Sequence, residues 1–297
     1  MSRAAVGPTV GVVLVGDELL SGAVEDTNGP YLIARFRALG ARLKRVTVVG
    51  DDVAEIAEVV SHVAAACDLV CTTGGIGPTH DDVTVDGVAR AFGLPVAEDP
   101  RIIAWMRARL GREPGPGHRR MARVPQGTEI LTPARGPGPG APPTLVTRNV
   151  TILPGVPSLM RACFALVEDR FRGAPRWRQT IEVTANEASL AERLREIAAA
   201  HPRVAIGSYP RLQRATGKGD ESGSAGGGAG TWVVGLAIEG DELPEVQTAA
   251  RAVVEALSGL SPTVAPPQRV GPDPDGERAE AAARGDAPLN SPGHGGT

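Results

Sequence analysis

Residues Thr72–Thr84 read TTGGIGPTHDDVT and gather the groups that phosphate chemistry needs. Gly74, Gly75 and Gly77 let backbone N–H groups come close to an anion, because no Cβ stands in the way. An apolar run precedes the loop and a helical run follows it, so the positive N-terminal end of that helix faces the same anion. Thr73 and Thr84 add hydroxyls, and His80 can donate to a phosphate or tune a neighbouring acid. Asp81 and Asp82 supply two carboxylates. Beside a phosphate, such a pair holds a divalent cation or serves as base for a nucleophile. The competing reading is a tight turn whose acids cap the next helix. TTGG and HDDVT in one loop favour the phosphate cradle.

Three further segments carry polar groups at the ends of apolar runs. Gly16–Gly22 (GDELLSG) offers Asp17 and Glu18 as ligand or metal contacts, or as solvated acids of a plain turn. Gly50–Asp52 places Asp51 after a second run, where acids commonly cap helices. Leu153–Met160 (LPGVPSLM) is a rigid turn into a helix. Ser158 is its natural N-cap, and the neighbouring N–H groups can face a phosphate. His62, His118, His201 and His294 show no metal-ligand spacing. No Walker loop, Gly-x-Ser-x-Gly elbow or HExxH occurs.

The elements that must position these groups alternate in type. Thr9–Val15 is a continuous apolar run of strand length, and Leu43–Val49 and Leu69–Thr73 read as a second and a third strand. Asn28–Leu39 and Val53–Ala66 carry apolar residues at helical spacing, and a further helix begins at Val85–Ala91. Thr128–Leu131 and Asn149–Leu153 read as more strands, and Ser158–Phe171 as a closing helix. Gly111–Gly117 and Arg135–Pro143 are breaks. The pattern predicts an α/β fold with a doubly wound, mainly parallel sheet over residues 1–175, with ligands at the carboxyl ends of its strands. A smaller α+β domain over 176–260 follows: strand Thr180–Ala185, helix Ser189–Ala200, strands Val204–Ser208 and Trp232–Glu239, helix Leu243–Leu257. The Gly/Ser-rich insert Gly217–Gly230 reads as a flexible loop, and residues 261–297, rich in Pro, Gly and charge, as a disordered tail.

The 297 residues suffice for two modest domains. Apolar residues make up 42% and aromatics only 3%, so the core must rest on aliphatic side chains. A net charge of −3 gives no field that would draw nucleic acid or an anionic membrane. Cys67, Cys71 and Cys163 form no CxxC pair and read as small core hydrophobes of a reducing compartment. No apolar run approaches the ~20 residues of a membrane span, and the N-terminus lacks the plan of a signal peptide. A cytoplasmic protein is expected, with a small-molecule partner and neither nucleic acid nor membrane.

TTGGIGPTHDDVT, GDELLSG and LPGVPSLM, in this order, resemble the molybdopterin-binding domain superfamily over roughly residues 8–172. That group includes molybdopterin adenylyltransferases, the N-terminal domain of competence/damage-inducible protein A (CinA) and the matching domain of eukaryotic FAD synthase. Within the FAD synthase and CinA branch, THDDV with RNVTILPGVP (Arg148–Pro157) is closer to the FAD synthase domain, since CinA-type loops usually have an acid at the His80 position, and IGSYP (Ile206–Pro210) resembles that branch and extends the resemblance to about residue 260. Arg135–Pro143 matches the corresponding family loop only loosely. The FAD-synthesising and CinA deamidase domains have no counterpart here, so neither of those activities is implied.

The resemblance implies chemistry at an adenylyl phosphoanhydride. The expected activity is a metal-dependent nucleotide pyrophosphatase that cuts FAD- or ADP-ribose-like dinucleotides to AMP and the other phosphate. Magnesium or cobalt would be the cofactor, with potassium stimulating. Gly74, Gly75 and Gly77 would cradle the phosphates, and Asp82 and Asp81 would hold the metal. Asp51 and Glu18 would complete the metal or water shell, with Thr73, His80, Thr84 and Ser158 as further contacts. The other readings are a molybdopterin binder or adenylyltransferase and a nucleotide sensor without turnover. A homo-oligomer is expected.

Overall fold

The computed structural model describes residues 7–133, 142–213 and 231–271. The chain divides into two compact units after Gly173. In the first unit the order is β1 (Thr9–Val15), α1 (Asp17–Leu20), α2 (Asn28–Ala38), β2 (Arg42–Val49), α3 (Val53–Ala66), β3 (Leu69–Thr73) and α4 (Thr84–Ala91). There follow β4 (Val96–Glu98), α5 (Pro100–Leu110), α6 (Pro116–Arg120), β5 (Arg123–Pro125), β6 (Glu129–Leu131), β7 (Thr144–Thr147), β8 (Val150–Leu153) and α7 (Pro157–Phe164).

Six of these strands form one sheet in the order β2-β1-β3-β8-β7-β6. The pairs β1–β2, β1–β3 and β3–β8 are parallel, and β7 and β6 add an antiparallel edge. Alternate residues of β1 feed opposite faces. Val13 and Val15 pack with Ile56 and Val60 of α3 and Ile102 and Met106 of α5. Val10, Val12 and Leu14 pack with Leu32 and Phe36 of α2 and Met160 and Phe164 of α7. Helices thus cover both faces, as the buried apolar strands require. The doubly wound α/β class expected from the sequence is what the chain adopts. The four carboxyl strand ends fall side by side and carry Gly16, Gly50, Gly74 and Pro154.

The sequence reading departs from the structure at several places. GDELLSG is not a bare turn: its Asp17–Leu20 forms the short helix α1. The long helix expected at Ser158–Phe171 is α7 followed by a separate 3-10 turn, Glu168–Phe171. Ser158 is not the N-cap. Pro157 takes the first helical turn and Val156 is the cap, with no side-chain hydrogen bond. Helix α5 was not anticipated, although Asp99 caps it by accepting from the N–H of Arg101 at 2.8 Å and Gly111 ends it at φ 65°.

The second unit contains β9 (Arg176–Thr184), α8 (Glu187–Ala200), β10 (Val204–Gln213), β11 (Thr231–Gly240), α9 (Leu243–Ala256), β12 (Thr263–Val264) and β13 (Gln268–Val270). Its sheet runs β10-β11-β9-β12, with β13 also on β9, and these pairs are antiparallel. Leu190 of α8 and Val246 and Val253 of α9 pack on Ile181, Leu236 and Ile238. Residues 263–270 were expected within the disordered tail. They instead form β12 and β13, because their backbone groups find partners on β9 and the N–H of Ala265 donates to the Thr180 carbonyl at 2.9 Å. The expected loop Gly217–Gly230, the tail from residue 272 and most of the break Arg135–Pro143 lie outside the described residues. No described helix is long and apolar enough to cross a membrane. All three cysteines are free and buried.

Candidate functional site

The glycine loop begins where β3 stops. Gly74 and Gly75 have φ of 104° and 62°, the left-handed region. The N–H of Gly74 donates to the Leu153 carbonyl at 3.2 Å, so the loop leaves β3 still tied to β8. Thr84, the first residue of α4, closes it. Its hydroxyl donates to the Gly74 carbonyl at 2.8 Å and its N–H to the Gly75 carbonyl at 3.0 Å. Asp82 braces the outer part of the loop. Its carboxylate accepts from the N–H of Gly77 at 2.6 Å, the N–H of Thr79 at 2.8 Å and the Thr79 hydroxyl. Among the described residues, the amides of Gly75 and Ile76 donate to no protein acceptor.

A second loop, Pro154–Pro157, is fastened to the first. The Thr73 hydroxyl donates to the Pro154 carbonyl at 2.8 Å and accepts from Asn28 Nδ2 at 3.1 Å. Asn28 Nδ2 also donates to the Gly155 carbonyl at 2.7 Å. Asp26 holds the start of α2 by accepting from the N–H groups of Asn28 and Gly29, each at 2.9 Å. Thr73 and Thr84 are therefore buried struts of the loop backbone.

The acids after β1 and β2 form a reciprocal pair. The Asp17 N–H donates to Asp51 Oδ2 at 2.9 Å, and the Asp51 N–H to Asp17 Oδ1 at 3.2 Å. Asp52, not Asp51, caps α3, accepting from Ala54 at 2.8 Å and Glu55 at 2.9 Å. Burial pushes the Asp51 carboxyl above the ordinary carboxylate value. The Asp17 N–H opposes this, and the charges of Asp17, Glu18 and Asp81 add to it. The folded state thus binds this proton more readily than the unfolded chain. The stability linked to it is present in acid and is lost as pH rises through the raised value. Asp51→Asn can still accept the Asp17 N–H, so it is expected to unfold at a higher temperature than the wild type near neutrality. The gap closes in acid, below the ordinary carboxylate pKa. Thermal unfolding at both pH values checks this, and a variant less stable than the wild type near neutrality contradicts it.

The glycine loop opens on a cavity of about 480 Å³. Gly74, Gly75, Gly77, Gly155, Glu18 and Asp82 line it, and Ile102, Trp105, Met106 and Leu159 provide apolar wall. The structure thus brings together five of the residues singled out in the sequence: Gly74, Gly75, Gly77, Asp82 and Glu18. Asp51, Asp81, His80, Thr73, Thr84 and Ser158 are not part of the lining. The His80 and Asp81 side chains are 97% and 61% exposed, with Nδ1 and Oδ1 3.9 Å apart. The Thr79 hydroxyl and the Asp81 backbone N–H hold the Asp81 carboxyl below its ordinary value, with His80 and Arg120 adding to this. Ser158 is exposed in the first turn of α7. Among the described residues no three His, Cys, Asp or Glu side chains are gathered to hold a metal ion. Sequence reasoning missed Asn28, Trp105, Arg120 and Arg123. Only Asn28 left a readable trace, as the polar start of a helical run.

The family described as "probable molybdopterin binding domain" matches residues 11–172, and "FAD synthase, middle domain" matches 175–262. The chain belongs to the molybdopterin-binding domain superfamily, in the branch that CinA-like proteins share with FAD synthase. A protein of Archaeoglobus fulgidus is 33% identical over 200 residues, 67% of this chain and 85% of that one. A CinA-like protein of Myxococcus xanthus is 38% identical over 188 residues, 62% of this chain but 44% of its own length. The crystal structure of the protein CinA from Thermoplasma acidophilum is similar at 31% identity and a TM-score of 0.50, over 55% of this chain and 97% of that one.

Proposed function

We propose that the chain is a metal-dependent nucleotide pyrophosphatase that hydrolyses FAD- or ADP-ribose-like dinucleotides to AMP and the other phosphate. One observation carries the reading: a single cavity collects the open amides of the glycine loop, the acids Glu18, Asp82 and Asp86 and an apolar wall. Its volume, about 480 Å³, is within the range of small-molecule sites. The amides left to a phosphate are those of Gly75 and Ile76, since Gly74 and Gly77 spend theirs on Leu153 and Asp82. The apolar wall, with Trp105, suits a planar ring at one end of a dinucleotide.

The donor set fits a cation shared with substrate. Asp82 accepts three donors of the roughly four a carboxylate can take. Glu18 also lines the cavity, and a magnesium-type ion needs only one or two carboxylates when phosphate oxygens complete its shell. Glu18 and Asp82 would hold that ion, which would supply charge neutralisation of the phosphoanhydride. The chain's own part is to fix the pyrophosphate against the loop so that water attacks one phosphorus in line. The P–O bond to the bridging oxygen breaks, that oxygen leaves with the second phosphate, and both products carry away a phosphate.

The test is incubation of the protein with FAD, ADP-ribose and ATP, with magnesium or cobalt plus potassium, and chromatography for AMP. AMP is expected from FAD or ADP-ribose, and only with the divalent ion. Its absence from every mixture overturns the reading.

A further inference from the structure

Among the described residues two cationic side chains line the cavity, Arg120 at the end of α6 and Arg123 in β5. Their partners differ. Arg123 Nη2 lies 3.2 Å from Asp86 Oδ1, and Asp86 lines the same cavity, so that charge is cancelled locally. Arg120 Nη2 donates to the carbonyl oxygens of His80 at 3.1 Å and Asp82 at 3.4 Å. Among the described residues, no carboxylate is within ion-pair distance of Arg120. Carbonyl contacts orient a guanidinium without neutralising it, and the Asp81 carboxylate, which its charge reaches, lies beyond ion-pair distance and outside the cavity lining. The guanidinium stays charged at all relevant pH and presents five N–H donors in a rigid plane. Both carbonyl bonds come from one nitrogen, so Nη1 and Nε keep their N–H groups.

We propose that Arg120 grips the phosphoanhydride of the ligand and so selects ligands that carry one over nucleosides that carry none. This rests on the reading that the cavity takes a nucleotide pyrophosphate. Three carboxylates line the cavity, Glu18, Asp82 and Asp86, and their summed charge repels a phosphate. Arg123 offsets one of them and the braced loop spreads the charge of Asp82 over its own donors. Among the described residues, Arg120 is the cationic lining side chain left to face an anion. Its two carbonyl anchors belong to the segment that Asp82 braces, so the charge is fixed to the glycine loop. A phosphate held by the Gly75 and Ile76 amides meets this guanidinium with no side-chain reorganisation to bring it in. A bidentate guanidinium–phosphate contact is the geometry for which arginine exceeds lysine.

The experiment is calorimetric titration, with EDTA and no divalent ion so that no turnover occurs, of ADP-ribose and of adenosine into the wild type, Arg120→Gln, Arg120→Lys and Arg123→Gln. Arg120→Gln is expected to weaken ADP-ribose by about 10- to 100-fold, the worth of a charge-assisted hydrogen bond. Adenosine affinity stays within about 2-fold, Arg120→Lys falls between, and Arg123→Gln loses less than Arg120→Gln. If Arg120→Gln does not fold, Arg120→Lys carries the same comparison with a loss of several-fold. ADP-ribose bound by both Arg120 variants as tightly as by the wild type overturns the assignment while leaving the pyrophosphatase reading intact. Equal losses for ADP-ribose and adenosine also overturn it, since they make Arg120 a strut of the loop. A wild type that binds neither probe overturns the reading and the assignment together.

Discussion

Replacing Asp82 by alanine is expected to lower AMP release from ADP-ribose at least about 100-fold, the scale set by removing one preorganised electrostatic group from an active site. The reason is twofold. Asp82 lines the cavity and, on the proposed mechanism, holds the cation against the phosphates. It also shapes the loop, since Gly77 N–H, Thr79 N–H and the Thr79 hydroxyl all converge on it. The variant loses that convergence, so the amides of Gly75 and Ile76 are no longer held in place, and ADP-ribose binding weakens as well. Asp82→Asn separates the two roles only in part, because its NH₂ cannot accept and opposes one of the loop donors. The thermal midpoint should fall modestly, by about 1–2 kcal/mol of stability, because the freed loop donors turn to water. Steady-state assays and a melting curve on one preparation check this. Undiminished AMP release from Asp82→Ala removes Asp82 from the mechanism.

The parts of this site that were legible in the sequence are those written in contiguous residues. β1 announces itself as an apolar run, β3 as a short strand leading into the glycines, and α3 by the row Ile56, Val60 and Val63 that packs beneath the sheet. The loop after β3 was readable because glycines, acids and a following helix occur within Thr72–Thr84. Contacts across the fold were not. Asp51 looked like a helix cap, but the cap is Asp52. Asp51 instead meets Asp17, 34 residues away, at a strand end that the parallel register brings alongside. Asp81 and His80 sit in the same motif as Asp82, yet a loop turning around the Asp82 carboxylate leaves them facing water. Arg120 had no motif at all, since its value comes from lining the cavity while anchored on the His80 and Asp82 carbonyl oxygens. β12 and β13 were hidden for a related reason: a strand of two or three residues has no pattern of its own and exists through its pairing with β9.

Gly74→Ala is expected to be the most destabilising single substitution in the site, at about 3–5 kcal/mol, summing backbone strain and overpacking. A Cβ built at Gly74 falls 2.0 Å from the carbonyl oxygen of Val15. That oxygen belongs to the end of β1, which is paired on both sides in the sheet and cannot retreat without breaking it. The φ of 104° adds strain that any L side chain would feel. Gly127 provides the internal comparison. Its φ is 82°, but a Cβ there meets nothing within 4 Å. Gly127→Ala therefore reports the backbone term alone, about 1 kcal/mol. For a unit of this size each kcal/mol moves the melting midpoint by about 2–4 °C, so the two variants should differ by roughly 5–15 °C. Midpoints within about 2 °C of each other would mean that β1 and the loop can part at little cost. That would also weaken the case for a preorganised phosphate site. Gly74 gives its N–H to Leu153, so its lack of a side chain serves the close approach of β3, β1 and the Gly155 turn. The open amides of Gly75 and Ile76 are held where they are by that approach. Gly74→Ala is thus expected to lose ligand binding through the fold, with binding and melting midpoint falling together, whereas Arg120→Gln loses ADP-ribose with the melting curve unchanged.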